Sequence, residues 1–345
     1  MTMNLIVFNN PTAWPWQTNL CDLMLLVMFL AALTYAVVQF RHGRRGYIVV
    51  LIAAFIYGLV LELAGMATLN LYQQGDFAVM INWPAFGLWQ GTTMMPSYVL
   101  IFYPVFLFTG FKVVERLGVE KRWHASMIGG LFMIAMDALY IVEGNLRHVV
   151  WWTWDPNVRF FQYWVGWPLV DLCWQGIWDA VFIYIMLRAQ PRIDASVESV
   201  DKRWSNVKAL AGFPPLAALT VLIVGPILLS PIMIATALGG PQWPLVVLLV
   251  AGYVAVTLVA RRTARPLPVE RFTVGLVLLY VACLAVMAVA NIVYEGALTQ
   301  YVVVQAVGLA VMIALATYPP RAARGSQIAA PMQRPAVTAN LGSGA

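Results

Sequence analysis

Residues 147–182 read RHVVWWTWDPNVRFFQYWVGWPLVDLCWQGIWDAVF. This stretch holds seven of the chain's fourteen tryptophans together with three aspartates, Asp155, Asp171 and Asp179. Tryptophan concentrates where a chain passes between water and lipid, because its indole ring is apolar at one end and polar at the other. The pattern predicts an aromatic outer loop that leads into a helix re-entering a membrane. Together they would form one wall of a site for a large apolar substrate.

The composition of the whole chain supports a membrane protein. Of 345 residues, 61% are hydrophobic and 10% are charged, and the mean hydropathy is +0.77, which is far more apolar than a soluble domain. A helix needs roughly 20 apolar residues to cross a hydrocarbon core about 30 Å thick. Nine stretches meet or approach that length, near residues 20–40, 47–69, 88–110, 125–143, 167–187, 213–237, 243–260, 273–293 and 299–318. We therefore predict an all-α, polytopic transmembrane helical bundle of about nine spans.

The basic residues provide a check on this count, because lysine and arginine accumulate in cytoplasmic loops. All of them except Arg147 and Arg159 follow spans one, three, five, seven or nine. A missed or extra span would break this alternation. The sequence thus predicts a protein integral to a bacterial plasma membrane, with the N-terminus outside and the C-terminus in the cytoplasm. The net charge of +6 resides in loops and predicts no nucleic-acid partner.

The distribution of charge also divides the chain. Residues 1–190 form an acid- and tryptophan-rich bundle of spans one to five, in which we expect the site. Residues 191–318 hold spans six to nine, which carry almost no charge and are predicted to support the first group. Residues 319–345 are rich in alanine, proline, glycine and serine, and predict a disordered cytoplasmic tail.

Acidic residues occur within spans two, four and five, at Glu62, Asp137, Glu143, Asp171 and Asp179. An ionisable side chain inside a span costs roughly 2.5–3.5 kcal/mol on insertion, so we expect it to face the bundle interior and to serve a function. Spans two and four run outward and span five runs inward, which places Glu62, Asp137 and Asp171 in the outer half of the membrane. Asp179 lies about 12 Å deeper than Asp171 at 1.5 Å per residue. We predict one acid-lined pocket with four catalytic residues: Glu62, Asp137, Asp171 and Asp179.

Aromatic and amide groups accompany these acids. Asp171, Gln175 and Trp178 share one stripe of the fifth span. No lysine or arginine lies within the predicted spans, and a carboxylic acid that stays neutral in an apolar pocket can donate a proton. Aromatic faces stabilise a nearby cation by about 0.5–2 kcal/mol each. The predicted substrate-binding residues are Tyr140, Trp152, Trp154, Tyr163, Trp167, Trp174, Gln175 and Trp178.

Simpler interpretations exist for the same residues. Each acid could hydrogen-bond hydroxyl or indole groups between helices, and the tryptophans could form an ordinary interfacial belt. Glu143 and Asp155 fall at the membrane surface, where we expect them to be solvated. The histidines flank spans and the cysteines lie singly within apolar spans, so neither a metal nor a cofactor is predicted.

Four sequence elements lie in an order that suggests a family. They are Gly58, Glu62 and Gly65; Asp137; Trp152 and Trp154; and Gly166, Trp167, Pro168, Asp171, Leu172 and Gln175. Over about residues 50–190 these elements resemble the carotenoid-biosynthesis membrane proteins that include the carotenoid 1′,2′-hydratases. Asp171 stands where that family usually has asparagine, and the Asp-Pro pair that follows the family's first aspartate is absent after Asp137. A weaker likeness is to the small membrane terpene cyclases, which pair a glutamate and an aspartate from different helices.

Both resemblances imply proton-initiated chemistry on a polyene. We expect a lipophilic isoprenoid substrate taken from membrane lipid, with Glu62 or Asp137 protonating an alkene. Asp171 or Asp179 would position water or remove the closing proton. Hydration and cyclisation both remain open, since they differ only in what captures the carbocation. A proton-coupled transporter of an apolar solute and a structural assembly partner are the alternatives from other classes.

Overall fold

Long apolar segments determine the architecture, because backbone polar groups within lipid must find hydrogen bonds inside their own helix. The computed structural model describes residues 5–82, 94–195, 205–294, 296 and 298–319. In these ranges the chain forms nine long α-helices: α1 Trp16–Arg41, α2 Gly46–Glu62, α3 Val99–Arg116, α4 Arg122–Gly144, α5 Leu169–Ala195, α6 Phe213–Ala237, α7 Trp243–Ala260, α8 Arg271–Tyr294 and α9 Thr299–Ala316. The prediction of an all-α bundle of about nine spans is confirmed.

Eight of these helices are long and apolar enough to cross a membrane. The remaining one, α3, carries Lys112, Glu115 and Arg116 in its last two turns. It begins at Val99, whereas the sequence predicted a span from about residue 88. Pro96, which that prediction placed inside the span, lies instead in a strand. The predicted disordered tail lies almost entirely outside the described residues.

Short strands cluster at one end of the bundle, which we call the strand end. They are β1 Ile6–Phe8, β2 Tyr72–Gln74, β3 Val79–Asn82, β4 Met94–Pro96, β5 Trp152–Trp154, β6 Tyr163–Trp164 and β7 Trp167–Pro168. The first, third and fourth strands form one antiparallel sheet, in the order β1-β3-β4. In a second sheet β2 pairs with β5, so that Tyr72 lies opposite Trp154. The predicted aromatic loop is therefore built from β5, β6 and β7, and it leads directly into α5.

The end of α2 has an unusual geometry that matters for the site. Beyond Glu62 the chain continues as a π-helix over Leu63–Thr68, and it then turns back at Asn70, whose φ is 50°. The amide of Leu71 donates to the carbonyl of Gly65 across this turn. As a result β2 folds back over the end of α2 and faces Glu62.

Helix α4 is the centre of the bundle, since 94% of the residues in its most apolar 18-residue stretch are buried. It packs against α3, α5, α7, α8 and α9. Its contact with α5 is close because Gly130 faces that helix: a Cβ at this position would lie 2.5 Å from the carbonyl oxygen of Gly176. The later helices also contribute to the core, because α7 and α9 pack on α4 while α6 packs on α2 and α5.

A buried ion-pair cluster joins helices at the opposite end, which we call the basic end. The Lys112 ammonium lies 3.0 Å from a carboxylate oxygen of Glu115 and 3.0 Å from one of Glu270. It also donates to the hydroxyls of Tyr35 and Tyr47. The prediction that Lys112 lies in a loop after the third span is wrong: it lies within α3 and is only 4% exposed. Its long apolar stem and its two carboxylate partners make that burial possible.

Candidate functional site

A cavity of about 390 Å³ lies at the strand end, bounded by α2, α3, α4, α5 and α6 together with β2 and β5. Its walls are mainly apolar and aromatic side chains, which is typical of small-molecule sites. Polar groups enter it from three helices and one strand. Those groups include Glu62, Gln74, Asp137, Asp171 and Gln175.

Three of the four predicted catalytic residues line this cavity: Glu62 from α2, Asp137 from α4 and Asp171 from α5. All three are buried, with exposed fractions of 6%, 0% and 5%. The fourth, Asp179, lies two turns further along α5 and is 1% exposed, and it does not line the cavity. Asp137 nevertheless lies within electrostatic range of the other three acids.

The Glu62 carboxylate is held by three donors. The Tyr103 hydroxyl donates to Oε1 at 2.8 Å. The Tyr72 hydroxyl at 2.8 Å and the Gln74 amide nitrogen at 3.1 Å both donate to Oε2. Gln74 is itself oriented by Tyr98, whose hydroxyl donates to its side-chain oxygen at 2.9 Å. Two of these donors sit on β2, so the reversal of the chain after the π-helix is what completes the Glu62 environment.

Asp137 presents the opposite situation. Both of its carboxyl oxygens are buried and lack a hydrogen-bond partner among the described residues. The nearby hydroxyl of Tyr140, one turn along α4, also lacks one. A buried polar group without a partner is destabilising by about 1–3 kcal/mol, so such groups concentrate where they meet a ligand or take part in chemistry.

Asp171 is intermediate between these two. Its Oδ2 accepts one hydrogen bond, from the indole nitrogen of Trp167 at 2.8 Å. Both residues flank the junction of β7 and α5, and the bond fixes the side chain of Asp171 at the start of the helix. Trp167 was predicted to contact substrate, but its ring packs in the core beside the cavity and does not line it.

The aromatic wall contains most of the predicted substrate contacts. Tyr140, Trp152, Trp154, Trp174, Gln175 and Trp178 all line the cavity. The indole nitrogens of Trp174 and Trp178 are buried and have no hydrogen-bond partner in the described part of the chain. Tyr163 does not line the cavity: the β6–β7 hairpin turns it outward, where it is 43% exposed and donates to the carbonyl of Asp155.

Several lining residues are absent from the sequence-based prediction. The tyrosines at positions 57, 72, 98 and 103 line the cavity, as do Leu222, Pro226 and Met233 of α6. Pro226 lies in the middle of a predicted span, and this proline could have indicated that α6 forms part of the cavity wall. Gly225 beside it lets the helix approach, since a Cβ there would lie 2.6 Å from the ring of Trp178. The five predicted acids also omit Asp22, a partly buried residue of α1 that does not line the cavity.

The expectation that Glu143 is solvated is wrong. Its carboxylate is fully buried and accepts from the Asn291 amide at 2.9 and 3.0 Å and from the Tyr301 hydroxyl at 2.6 Å. Asn291 lies in turn within hydrogen-bond distance of Gln17 and His148. Helix α4 continues beyond the predicted end of its span, and the ends of α8 and α9 cover it. Glu143 therefore ties together helices from both halves of the chain.

Some of the apolar residues that line the cavity are also exposed on the surface of the bundle beside α2. Val60 and Leu69 line it and are also 45% and 63% exposed. Leu222 and Met233 of α6 line the facing side and are partly exposed. We call the gap between these four residues the mouth. An apolar molecule dissolved in the bilayer could enter the cavity through the mouth without crossing water.

In the part of the chain that the structure describes, no three histidine, cysteine, aspartate or glutamate side chains are arranged to hold a metal ion. The chemical groups available at the cavity are thus carboxyls, phenols, amides and indoles. Comparisons of this protein with protein-family models, with curated proteins and with solved structures find no match.

Proposed function

We propose that this protein is a membrane enzyme that modifies a carotenoid or related isoprenoid polyene by protonating an alkene and capturing the resulting carbocation. One observation carries the proposal: carboxyl groups from three helices, Glu62, Asp137 and Asp171, face a single apolar cavity walled by aromatic rings. Capture by water would make the enzyme hydratase-like, whereas capture by an internal double bond would make it a cyclase.

The cavity has the features that such a reaction requires. An alkene is a weak base, so protonating it needs a positioned acid that still holds its proton, in a site with little water. The carbocation then needs stabilisation by anions and by aromatic faces. Tyr140, Trp152, Trp154 and Trp178 present rings around the carboxyls, and the Glu62 carboxylate is held in place by its three donors.

The mouth supports a lipophilic substrate. Its rim residues Val60 and Leu69 are apolar and are exposed on the surface of the bundle. We also propose that the basic end lies in the cytoplasm of a bacterial cell and the strand end outside, because all lysines and arginines except Arg147 and Arg159 follow odd-numbered spans in the sequence. The cavity would then lie in the outer half of the membrane.

The proposal is tested with purified protein in detergent, incubated with polyprenyl and carotenoid extracts and followed by mass spectrometry. The expected result is a product heavier by one water molecule, or an isomer of unchanged mass. Tyr163→Phe is a suitable control, since Tyr163 points away from the cavity and its variant should make as much product as the wild type. If no extract is converted, the enzymatic proposal fails. A proton-coupled transporter would instead move a solute only across sealed vesicles with a gradient.

A further inference from the structure

The cavity acids differ in how many hydrogen bonds they accept, and this difference separates their roles. Glu62 accepts three, Asp171 accepts one and Asp137 accepts none among the described residues. Hydrogen bonds donated to a carboxylate favour its charged form, whereas burial without donors favours the neutral acid. From this geometry we propose that Asp137 is the proton donor of the reaction and that Glu62 is the anion that receives the closing proton. The inference rests on the proposed function and assigns its two central roles.

The environment of Glu62 suits a carboxylate anion, because each of its hydrogen-bond partners is a donor. Its two oxygens are occupied by two phenol O–H groups and one amide N–H group. The amide orientation of Gln74 is set independently, because Tyr98 donates to the oxygen of that amide and leaves the nitrogen facing Glu62. Because three donors already bind the two oxygens of Glu62, a proton added to this carboxylate would displace one of these hydrogen bonds. Glu62 therefore has no proton to donate at rest, and it can take one up only when one of these hydrogen bonds is displaced.

The environment of Asp137 matches a neutral acid. Its carboxyl is fully buried near the middle of α4, and it lines the cavity with no cation or donor assigned to it in the described structure. It also lies within electrostatic range of Asp171, Asp179 and Glu62, and a charge on Asp137 would be repelled by whichever of these carboxyls is ionised. A neutral Asp137 avoids both penalties and presents an O–H group to the cavity.

The reaction balances with these two residues and one water molecule. The O–H bond of Asp137 breaks as a C–H bond forms on one alkene carbon, which leaves a carbocation on the other carbon and a carboxylate on Asp137. Water then forms a C–O bond to the cation, and its proton passes to the Glu62 carboxylate. In a cyclase the internal double bond forms the new C–C bond, and Glu62 removes a proton from the adjacent carbon. Transfer of the proton from Glu62 back to Asp137 completes either cycle.

Infrared difference spectroscopy tests the assignment without requiring turnover. A protonated carboxyl has a carbonyl stretching band that a carboxylate lacks. We expect the wild-type protein to show such a band, Asp137→Asn to lose its Asp137 component, and Glu62→Gln to retain it. Tyr72→Phe combined with Tyr103→Phe removes two of the three donors to Glu62 and should add a new band, which Glu62→Gln then abolishes. Loss of a band in Glu62→Gln but not in Asp137→Asn would reverse the roles.

Activity provides the second measurement. Asp137→Asn should lower kcat by at least about a hundredfold, the lower range for a general acid, and product formed in D₂O by the wild type should carry one deuterium on the protonated carbon. Melting temperatures in detergent identify a variant that merely unfolds. If the infrared bands behave as expected but no isoprenoid is converted, the proposed function fails while the protonation pattern stands. If product forms normally in Asp137→Asn, the assignment of the donor is wrong.

Discussion

Asp137 and Glu143 are two buried acids on the same helix, six residues and about 9 Å apart along its axis. Glu143 accepts hydrogen bonds from Asn291 and Tyr301 and has no contact with the cavity. Asp137 has no partner in the described residues and lines the cavity. Burial is the same for both, so burial alone does not identify a residue available for chemistry. The number of satisfied hydrogen bonds distinguishes an acid that holds helices together from one that faces a ligand.

The largest difference between these two acids should appear in stability. Glu143→Leu leaves the buried donors of Asn291 and Tyr301 without their acceptor, and each such group is destabilising by about 1–3 kcal/mol. The free energy of unfolding should therefore fall by at least about 2 kcal/mol. Asp137→Leu removes an unpartnered polar group and should leave stability unchanged or raise it. Reversible denaturation in mixed micelles measures both variants, and equal destabilisation would contradict the distinction.

A second prediction concerns the donors that keep Glu62 in its place. Gly58 lies one turn before Glu62, and a Cβ there would lie 2.2 Å from the ring of Tyr103. Gly58→Ala should displace that ring and remove one hydrogen bond from Glu62, which lowers the rate of conversion by roughly tenfold because the catalytic geometry is disturbed. Gly252→Ala in α7 is the matched control, since a Cβ there meets nothing within 4 Å. Full activity in Gly58→Ala would show that the Tyr103 contact is dispensable.

A substitution at the mouth should have a smaller effect, and on substrate binding rather than on the chemical step. Leu69→Trp would narrow the mouth without touching Glu62 or Asp137. We expect KM to rise roughly threefold while kcat stays within error, because access changes and the transition state does not. Leu238→Trp serves as the control, since Leu238 is 83% exposed and does not line the cavity. A fall in kcat with unchanged KM would indicate that Leu69 contacts the reacting part of the substrate.

The smallest effect concerns the basic end, where the acids are paired with a cation. Partial burial disfavours the charge on Glu270, yet the hydrogen bond from Tyr35 and the ammonium of Lys112 outweigh it and hold the pKa of Glu270 below its ordinary value of 4.5. A group with a lowered pKa stabilises the fold fully above its unfolded value and loses that contribution as the pH falls through the folded value. Stability should thus decline on acidification below about pH 4.5, and less so in Glu270→Gln. Melting curves at several pH values would show whether the two proteins differ.

The sequence was sufficient to predict the bundle and the meeting of three acids. Apolar length determines the helices, and their alternating direction predicts that Glu62, Asp137 and Asp171 lie at a similar depth; in the structure all three line the cavity. These features depend on the local pattern of residues and on the thickness of the membrane, so a single sequence is enough to predict them. The sequence also predicted four of the lining tryptophans from their position beside the acids: Trp152, Trp154, Trp174 and Trp178.

The parts that sequence reasoning missed depend on contacts between distant segments. The burial of Glu143 requires the ends of α8 and α9, more than 140 residues away. The role of α6 in the cavity wall requires its packing on α2 and α5. Lys112 is buried because Glu270 reaches it from the start of α8. None of these contacts follows from the spacing of residues along the chain.

The π-helix at Leu63–Thr68 places a constraint on the length of the chain rather than on its composition. A π-turn holds about one residue more than an α-turn, so an α-helical segment could follow the same path with one residue fewer, whereas one added residue would rotate everything after it by about 100°. Tyr72 and Gln74 would then no longer point at Glu62. Substitutions between residues 63 and 68 should be tolerated wherever the side chain faces lipid, whereas a one-residue insertion should disable the site while leaving every side chain that lines it intact.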